Sequence, residues 1–378
     1  MSVLAESVRP DRRLPRWNRA ELRAGFLTDA PMIGLIGLYV LCVLATTQES
    51  LADLLLRLPG GFVIFMAMTL VTAIALGALH CLCVTRPASP IRHMGAQAWQ
   101  ALKAGWLERW VPMAIAASLL MIVFADTKTD IPLLAGGFRW DETFHRLDVA
   151  LHGGVAPWEL LQPVLGYPLV TFVLNLNYSI WFTLMWGMFF FHQSLRGGTP
   201  GRTRFLATFV LLWTVGGTLL ATIFSSAGPC YYGLVVGGAD PYQPLMSYLR
   251  QADTQFPLMA LDLQDMLWSL HSAGTEGFGI SAMPSLHNAM ALLMVLASWK
   301  LHPLARAVFG VHAILVFLGS IHLGWHYAVD AYASFALTLA IWFGLGPLFD
   351  RWDRLVAERR DRSIRSTGQP AAVSSARP

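Results

Sequence analysis

Two short stretches of the chain carry side chains whose types and spacing suit chemistry. They are Ser281-Ala282-Met283-Pro284-Ser285-Leu286-His287 and His326-Tyr327-Ala328-Val329-Asp330. Each lies where an apolar run begins, so each is predicted to stand at the end of a membrane helix. Two histidines and a carboxylate at one membrane surface can supply a nucleophile, a proton donor and a group that orients them.

The second stretch pairs a histidine with a carboxylate. His326 and Asp330 are four residues apart, which places them on one face of a helix. The carboxylate can accept a hydrogen bond from one ring nitrogen and leave the other as a base or nucleophile. His322 is four residues earlier, on the same face if the helix is continuous there. Ionisable groups are costly in lipid and are usually functional, so this group predicts a site.

The first stretch predicts a place for an anion. Pro284 is well placed as the first residue of a helix, with Ser281 or Met283 at its cap. His287 then falls in the first turn, where free amides and the positive end of the helix favour an anion. Phosphate is the obvious candidate, and Ser285 adds a hydroxyl donor.

The elements that must position these residues are membrane helices. Hydrophobic residues make up 55% of the 378-residue chain and charged residues 13%, whereas soluble domains have about 25% charged residues. Apolar runs, most of them long enough to span a bilayer, lie at roughly 30–47, 61–84, 111–125, 167–191, 205–224, 284–299, 304–322 and 327–349. We therefore expect an all-α, polytopic membrane helix bundle of about eight transmembrane helices.

The charges of the loops predict the orientation of the bundle. The second, fourth and sixth loops are basic, with Arg86, Arg92, Lys103, Arg109, Arg196, Arg202, Arg204, Lys300 and Arg306. The third and fifth are acidic or mixed, with Asp126, Asp130, Asp141, Glu142, Asp148, Asp240, Asp253, Asp262, Asp265 and Glu276. By the positive-inside rule, both termini are cytoplasmic and both motifs are extracytoplasmic. The net charge of +4 is thus explained by topology, and no nucleic-acid partner is expected.

Taken together, the two motifs resemble the type 2 phosphatidic acid phosphatase superfamily. The resemblance is closest to its inositol-phosphotransferase branch, which includes inositol phosphorylceramide synthases and has Pro-Ser-x-His followed by His-Tyr-x-x-Asp. The stretch Ser225-Ser-Ala-Gly-Pro229, with Tyr231 and Tyr232, is also similar to that branch. The resemblance covers roughly 135–349 and leaves the first three helices outside. It implies a lipid-phosphate or phospholipid substrate and requires neither a metal nor a cofactor.

The resemblance also implies roles for individual residues. His326 would attack phosphorus and form a phosphohistidine, and Asp330 would orient it and stabilise its charge. His287 would protonate the leaving oxygen and then activate the acceptor. Phosphoryl oxygens would be held by nearby backbone amides and by Ser285, Ser281 and Ser320.

The chain departs from the phosphatases of this superfamily at two places. It has no Lys-x6-Arg-Pro element, and the nearest likeness is Arg139-x6-Arg146. Gly319-Ser320 stands where the phosphatases carry Ser-Arg. A phosphomonoester dianion usually requires Arg or Lys clamps, so the departures favour a phosphodiester and headgroup transfer. Arg139, Arg146 and Arg250 are the candidates to replace the missing cations.

These features divide the chain into four parts. They are a basic cytoplasmic arm at 1–24, N-terminal transmembrane helices at 25–130, a catalytic membrane domain at 131–349 and a partly disordered cytoplasmic tail at 350–378. Short helices are predicted at 144–151 and 157–165. The long loop at 225–283, with a helix near 257–270, is expected to cap the site. The expected location is a bacterial inner or plasma membrane.

The favoured function is a phosphotransferase that moves an inositol phosphate-like headgroup to a lipid or alcohol acceptor. Three alternatives stay open. A lipid phosphate phosphatase would use the same residues with water as acceptor. A metalloenzyme would use His322, His326, Asp330 and His287 as ligands, and chelation would then abolish its activity. The third alternative is a membrane scaffold or transporter without enzymatic activity.

Overall fold

The computed structural model describes residues 17–47, 50–275, 279–299 and 301–367. All regular secondary structure in these ranges is helical, which confirms the predicted all-α fold. Parts of the chain used in the sequence analysis lie outside the described ranges: residues 1–16 of the basic arm, Glu276, Lys300, and 368–378 of the tail.

The helices follow one another with short connections. The first seven are α1 (Arg19–Thr46), α2 (Leu51–His80), α3 (Pro90–Lys103), α4 (Trp106–Ala135), α5 (Asp141–Leu151), α6 (Pro157–Leu165) and α7 (Pro168–Ser194). Next come α8 (Arg202–Ile223), α9 (Tyr232–Val235), α10 (Gln243–Asp253) and α11 (Met259–Ser272). The last four are α12 (Leu286–Ser298), α13 (Pro303–His322), α14 (Ala328–Gly344) and α15 (Gly346–Thr367). The predicted short helices correspond to α5, α6 and α11.

Most of the long helices can cross a bilayer. In the described part of the chain, six are long and apolar enough: α1, α2 with the π-helical turn that extends it, α4, α7, α8 and α13. A seventh span is formed if α14 and α15, which are bent by 42° at their junction, are counted as one. The remaining apolar run forms α12, whose 13 residues fall short of the about 20 that a bilayer requires. The chain is an integral membrane protein.

Helix α4 is longer than its apolar run indicated. Asp126 and Asp130, which the sequence analysis assigned to the third loop, lie within the helix, which continues to Ala135. A carboxylate does not end the helix here, because Asp126 is paired with Arg57 of α2 at 2.8 Å. Helices α1 and α2 both pack on α4, which in turn contacts α7 and α8. Helix α4 therefore joins the N-terminal helices to the rest of the bundle.

The start of α12 also differs from the prediction. The helix begins at Leu286 rather than at Pro284, and Ser285 occupies the N-cap. The hydroxyl of Ser285 accepts a hydrogen bond from the backbone amide of Asn288, which is the usual function of a capping serine. Ser285 is thus bound within its own helix.

The predicted cytoplasmic tail begins as a helix that packs on the bundle. In α15, the carboxylate of Asp353 accepts hydrogen bonds from the amide and the hydroxyl of Thr203, at 3.2 and 2.6 Å. Asp350 pairs with Arg204 at 2.6 Å. These contacts fasten α15 to the first turn of α8.

Candidate active site

The two motifs meet at one end of the bundle. Nε2 of His326 lies 3.5 Å from Nδ1 of His287, and Nδ1 of His326 lies 3.3 Å from Oδ2 of Asp330. His326 is 5% exposed and Asp330 is fully buried. A carboxylate that holds Nδ1 of a histidine fixes the ring and leaves Nε2 for chemistry. The three side chains form one continuous hydrogen-bonding chain.

The loop that carries His326 is held by backbone hydrogen bonds. His326 lies in the short connection between α13 and α14, where its amide and that of Trp325 both donate to the carbonyl of Ser320 at 3.0 Å. Asp330 accepts a further bond from the amide of Tyr327 at 3.0 Å, so the same carboxylate caps α14 and holds His326. The orientation of the ring is therefore set by the start of the helix.

Asp148 of α5 is a second carboxylate at the start of α14. It accepts hydrogen bonds from the amides of Ala328 and Val329, at 2.8 and 2.9 Å. A negative charge at the N-terminus of a helix is stabilising. Burial, with a smaller contribution from the charge of Asp330, raises the pKa of Asp148 to about 6.

Asp141, also in α5, holds the loop that follows α8. Its carboxylate accepts hydrogen bonds from the amides of Ala227 and Gly228, at 2.9 and 2.8 Å, and from the hydroxyl of Tyr327 at 2.9 Å. Burial raises the pKa of Asp141 above its usual range. In the sequence-based predictions, Asp141 and Asp148 served only as markers of topology. Their spacing of two helical turns, which places both on one face of a helix, was the available sign that the two carboxylates act together.

Aromatic rings of α7 position His287. Its imidazole stacks on Tyr178, with ring centroids 4.5 Å apart, and contacts Trp181 at 4.2 Å. The rings restrict rotation of the imidazole and hold it beside His326. The amides of Leu286 and His287 are at the first turn of α12, where helix amides have no intrahelical partner.

Two of the three serines expected to hold phosphate have other partners. Ser285 and Ser320 are completely buried, and their hydroxyls both accept hydrogen bonds from the side-chain amide of Asn288, at 3.0 and 3.1 Å. They join α12 to α13 and do not line the cavity next to the histidines. Ser281 does line that cavity.

A cavity of about 690 Å³ opens beside the two histidines. This volume is in the range of small-molecule and cofactor sites. Its wall is mostly apolar and includes Phe124, Phe182, Trp213, Leu263, Met266 and Trp325. Its polar lining consists mainly of His287, His326, Ser281, Asn175, Ser179, Asp262 and Lys128. The cavity therefore has the two histidines on a wall that is otherwise mostly apolar.

The segment expected to cap the site forms one wall of this cavity. Met259, Leu263 and neighbouring residues of α11 line it. The helix is anchored at two points: the amide of Ala260 donates to Asn175 of α7 at 3.1 Å, and the side chain of Gln264 donates to the carbonyl of Leu323 at 2.9 Å.

None of the three arginines considered as phosphate ligands lines the cavity. Arg250 binds Asp265 through two bonds of 2.8 and 2.5 Å, and Arg146 pairs with Glu142 at 2.5 Å. Arg139 is exposed and lies beside a separate surface depression. Arg250 and Arg146 are each held by a carboxylate on the surface, so the structure does not bring these two cations to the histidines.

Lys128 is a cavity residue that the sequence analysis missed. It lies on α4 and lines the cavity together with His326. Burial, together with the positive charge of Lys128, lowers the pKa of His326 to about 3, so the imidazole is neutral near pH 7. Lys128 was not recognised in the sequence because Asp126 and Asp130, on either side of it, made this part of the helix resemble a loop.

The four residues of the metalloenzyme alternative do not form one cluster. Nε2 of His322 lies 2.9 Å from the hydroxyl of Thr171, and its ring is next to Tyr248. Within the ranges that the structure describes, no group of three or more His, Cys, Asp or Glu side chains could hold a metal ion.

Comparisons with known proteins identify one family. A family model described as the PAP2 superfamily matches residues 142–344. No curated protein and no solved structure matches the chain. The matched range contains both motifs and the cap, whereas α1–α4, with Lys128, precede it.

Proposed function

Since the chain belongs to the PAP2 superfamily, with phosphatase- or phosphotransferase-type activity on lipid phosphates, we propose that it is a headgroup transferase. It moves a phosphoryl headgroup, such as inositol phosphate, from a lipid to a lipid or alcohol acceptor. The reaction passes through a phosphohistidine on His326. The observation that carries this proposal is the row of hydrogen-bonded side chains Asp330, His326 and His287 at the wall of an apolar cavity.

The first step forms the phosphohistidine. Neutral His326 attacks phosphorus through Nε2, and the bond between phosphorus and the oxygen of the leaving lipid breaks. The electron pair stays on that oxygen, which takes a proton from the cationic form of His287 and leaves as a lipid alcohol. Burial, His326 and Lys128 lower the pKa of His287, so the anionic phosphate of the bound donor supplies the charge that stabilises this protonated form. The Nδ1 proton of His326 is shared with Asp330, whose carboxylate stabilises the positive ring. The phosphoryl group takes the place of the direct contact between the two histidines.

The second step transfers the headgroup. The acceptor hydroxyl gives its proton to His287, which is now neutral, and attacks phosphorus. The bond between phosphorus and Nε2 breaks, and its electron pair returns to His326. Water in place of the alcohol would give hydrolysis instead.

The lining of the cavity supports transfer over hydrolysis. Its aromatic and aliphatic wall accommodates acyl chains and disfavours bulk water. The polar wall suits a hydroxyl-rich headgroup, because Asn175, Ser179 and Asp262 lie on it. The side-chain nitrogen of Asn175 has no partner among the described residues and is available to a substrate hydroxyl.

The orientation in the membrane is part of the proposal. The alternation of basic and acidic loops supports cytoplasmic termini and an active site on the extracytoplasmic side. The catalytic domain would be 131–349, and the substrate would be a lipid of the outer leaflet of a bacterial inner or plasma membrane.

The test is an assay of the purified protein in lipid nanodiscs. The donor is phosphatidylinositol labelled in its inositol, and increasing amounts of a long-chain alcohol or ceramide serve as acceptor. We expect a labelled acceptor phosphodiester that increases with the acceptor, and diacylglycerol in equal amount. The variant His326→Ala should form neither product, and the exposed His80→Ala should behave as the wild type.

Two results would contradict headgroup transfer. Release of free inositol phosphate, unaffected by the acceptor, would indicate a hydrolase that acts on diesters. Hydrolysis of phosphatidic acid with no reaction on phosphatidylinositol would indicate a lipid phosphate phosphatase.

A further inference from the structure

A phosphate that enters this cavity needs a positive charge near it. The phosphoryl group is anionic, and transition states of phosphoryl transfer are stabilised by cations placed in advance. Arg146 and Arg250 are held on the surface by Glu142 and Asp265. We infer that Lys128, which α4 supplies from outside the family-matched range, binds the phosphate of the substrate. This inference rests on the proposed function and adds a residue to it.

The position of Lys128 suits a phosphate ligand. It is half-buried and lines the same cavity as His287 and His326. Phe124 lies one helical turn earlier and lines the cavity too, so one face of α4 forms part of the wall. The N-terminal helices thus contribute directly to the site.

Helix α4 and the chain leading into the first motif approach each other closely. Gly279 is buried, and a Cβ atom added to it would overlap the backbone carbonyl of Lys128. Gly279 and Ser281 both line the cavity. Glycine therefore lets the chain that carries the first motif pass directly over α4 at Lys128, which fixes the lysine relative to that motif.

The positive charge of Lys128 is not balanced within the described residues. No described carboxylate forms an ion pair with Lys128. The acidic side chain that shares the cavity lining is Asp262 on α11, which is exposed and forms no ion pair with the lysine. An unpaired lysine in an apolar span is costly and usually functional. The charge is balanced when an anion occupies the cavity.

Lys128 also suits the chemistry of His326. Its positive charge contributes to the low pKa of His326, which keeps the imidazole neutral, as a nucleophile must be. The same charge attracts the phosphate. The first amides of α12, at Leu286 and His287, add donors from another side of the cavity.

The test compares Lys128→Met with Lys128→Arg and with the control Lys103→Met, an exposed lysine of α3. We expect kcat/KM of Lys128→Met to fall about 100-fold. Lys128→Arg should stay within about tenfold of the wild type, because it keeps the charge. Inhibition by orthovanadate, a phosphate analogue, should weaken in Lys128→Met and not in the control.

Thermal stability separates binding from structure. Removal of an unpaired charge from an apolar helix does not destabilise the fold, so Lys128→Met should melt at the wild-type temperature or above it. A purely structural lysine would lower the melting temperature and leave the sensitivity to orthovanadate unchanged.

Several results would overturn the inference. They are wild-type kcat/KM and wild-type orthovanadate inhibition in Lys128→Met, or failure of both Lys128→Met and Lys128→Gln to fold. Failure of the proposed function is distinguishable, because the wild type would then release free inositol phosphate or hydrolyse phosphatidic acid instead of forming the acceptor phosphodiester, whatever the behaviour of Lys128.

Discussion

The two ends of the bundle treat buried charge in opposite ways. At the end that contains the histidines, where His287 contacts Tyr178 and Trp181 of α7, the carboxylates of Asp141 and Asp148 accept hydrogen bonds from backbone amides. Beyond the last residues of α7, Asp29 of α1 is paired with Arg202 of α8 at 2.6 Å, and the two side chains are 1% and 3% exposed.

This difference separates an anchoring end from a catalytic end. At the anchoring end, the buried cation already has its anion, and Arg202 also donates to the carbonyls of Gln193 and Leu195, which fasten α7. At the catalytic end, the anions are held by amides, and Lys128 has no anion of its own. Charge that is paired within the fold stabilises it, and charge left without a partner is available to a substrate.

The largest effect on activity is expected from His326→Ala. Loss of the nucleophile should lower kcat at least about 10⁴-fold. The melting temperature should change little, because the backbone amide that holds the loop is retained. Steady-state kinetics and thermal unfolding of the same preparation measure both. If kcat of His326→Ala stayed within tenfold of the wild type, His326 would not be the nucleophile.

The anchoring end should show the reverse pattern in Arg202→Met. Asp29 would be left buried without its partner, which typically costs about 3–5 kcal/mol of stability. We expect a much lower melting temperature and, for the folded fraction, kcat/KM within about twofold of the wild type. The double variant Asp29→Leu/Arg202→Met should recover most of the stability. A loss of kcat without loss of stability would remove the distinction between the two ends.

Much of the catalytic end could be predicted from the sequence. The spacing of His326 and Asp330 and the start of α12 near His287 are local features, and local spacing is set by helix geometry. The partners of Asp141 and Asp148 could not be predicted, because their amides are distant in sequence and a carboxylate can bind any nearby donor. Lys128 was missed for a related reason: its role depends on which helix packs beside the motifs.

A pH profile measures the contribution of Asp148. Its pKa is raised to about 6, so it gains a proton as the pH falls through 6 and holds the amides at the start of α14 less strongly. His326, with a pKa of about 3, stays neutral in this range. We expect kcat of the wild type to fall below about pH 6. The fall should be absent from Asp148→Asn, whose kcat should be lower at pH 7.

An unchanged acid limb in Asp148→Asn would assign this titration to another group. A limb that begins near pH 4 in the wild type would show that Asp148 does not control the position of α14.

The smallest effect is expected from Arg250→Gln at the surface of the cap. The pair of Arg250 with Asp265 is exposed on both sides, and exposed pairs contribute little to stability. We expect kcat/KM within about twofold of the wild type, measured with the same lipid donor. A loss of tenfold or more would place this arginine at the substrate after all.

The phosphohistidine on His326 can be detected as a covalent intermediate. Donor lipid labelled at phosphorus is mixed with the protein without acceptor, and the reaction is quenched at alkaline pH, where phosphohistidine survives. Peptide mass spectrometry should find the phosphoryl headgroup on His326 of the wild type and of His80→Ala, and should find no adduct in His326→Ala. An adduct on another residue, or turnover by His326→Ala at the wild-type rate, would contradict a phosphohistidine on His326.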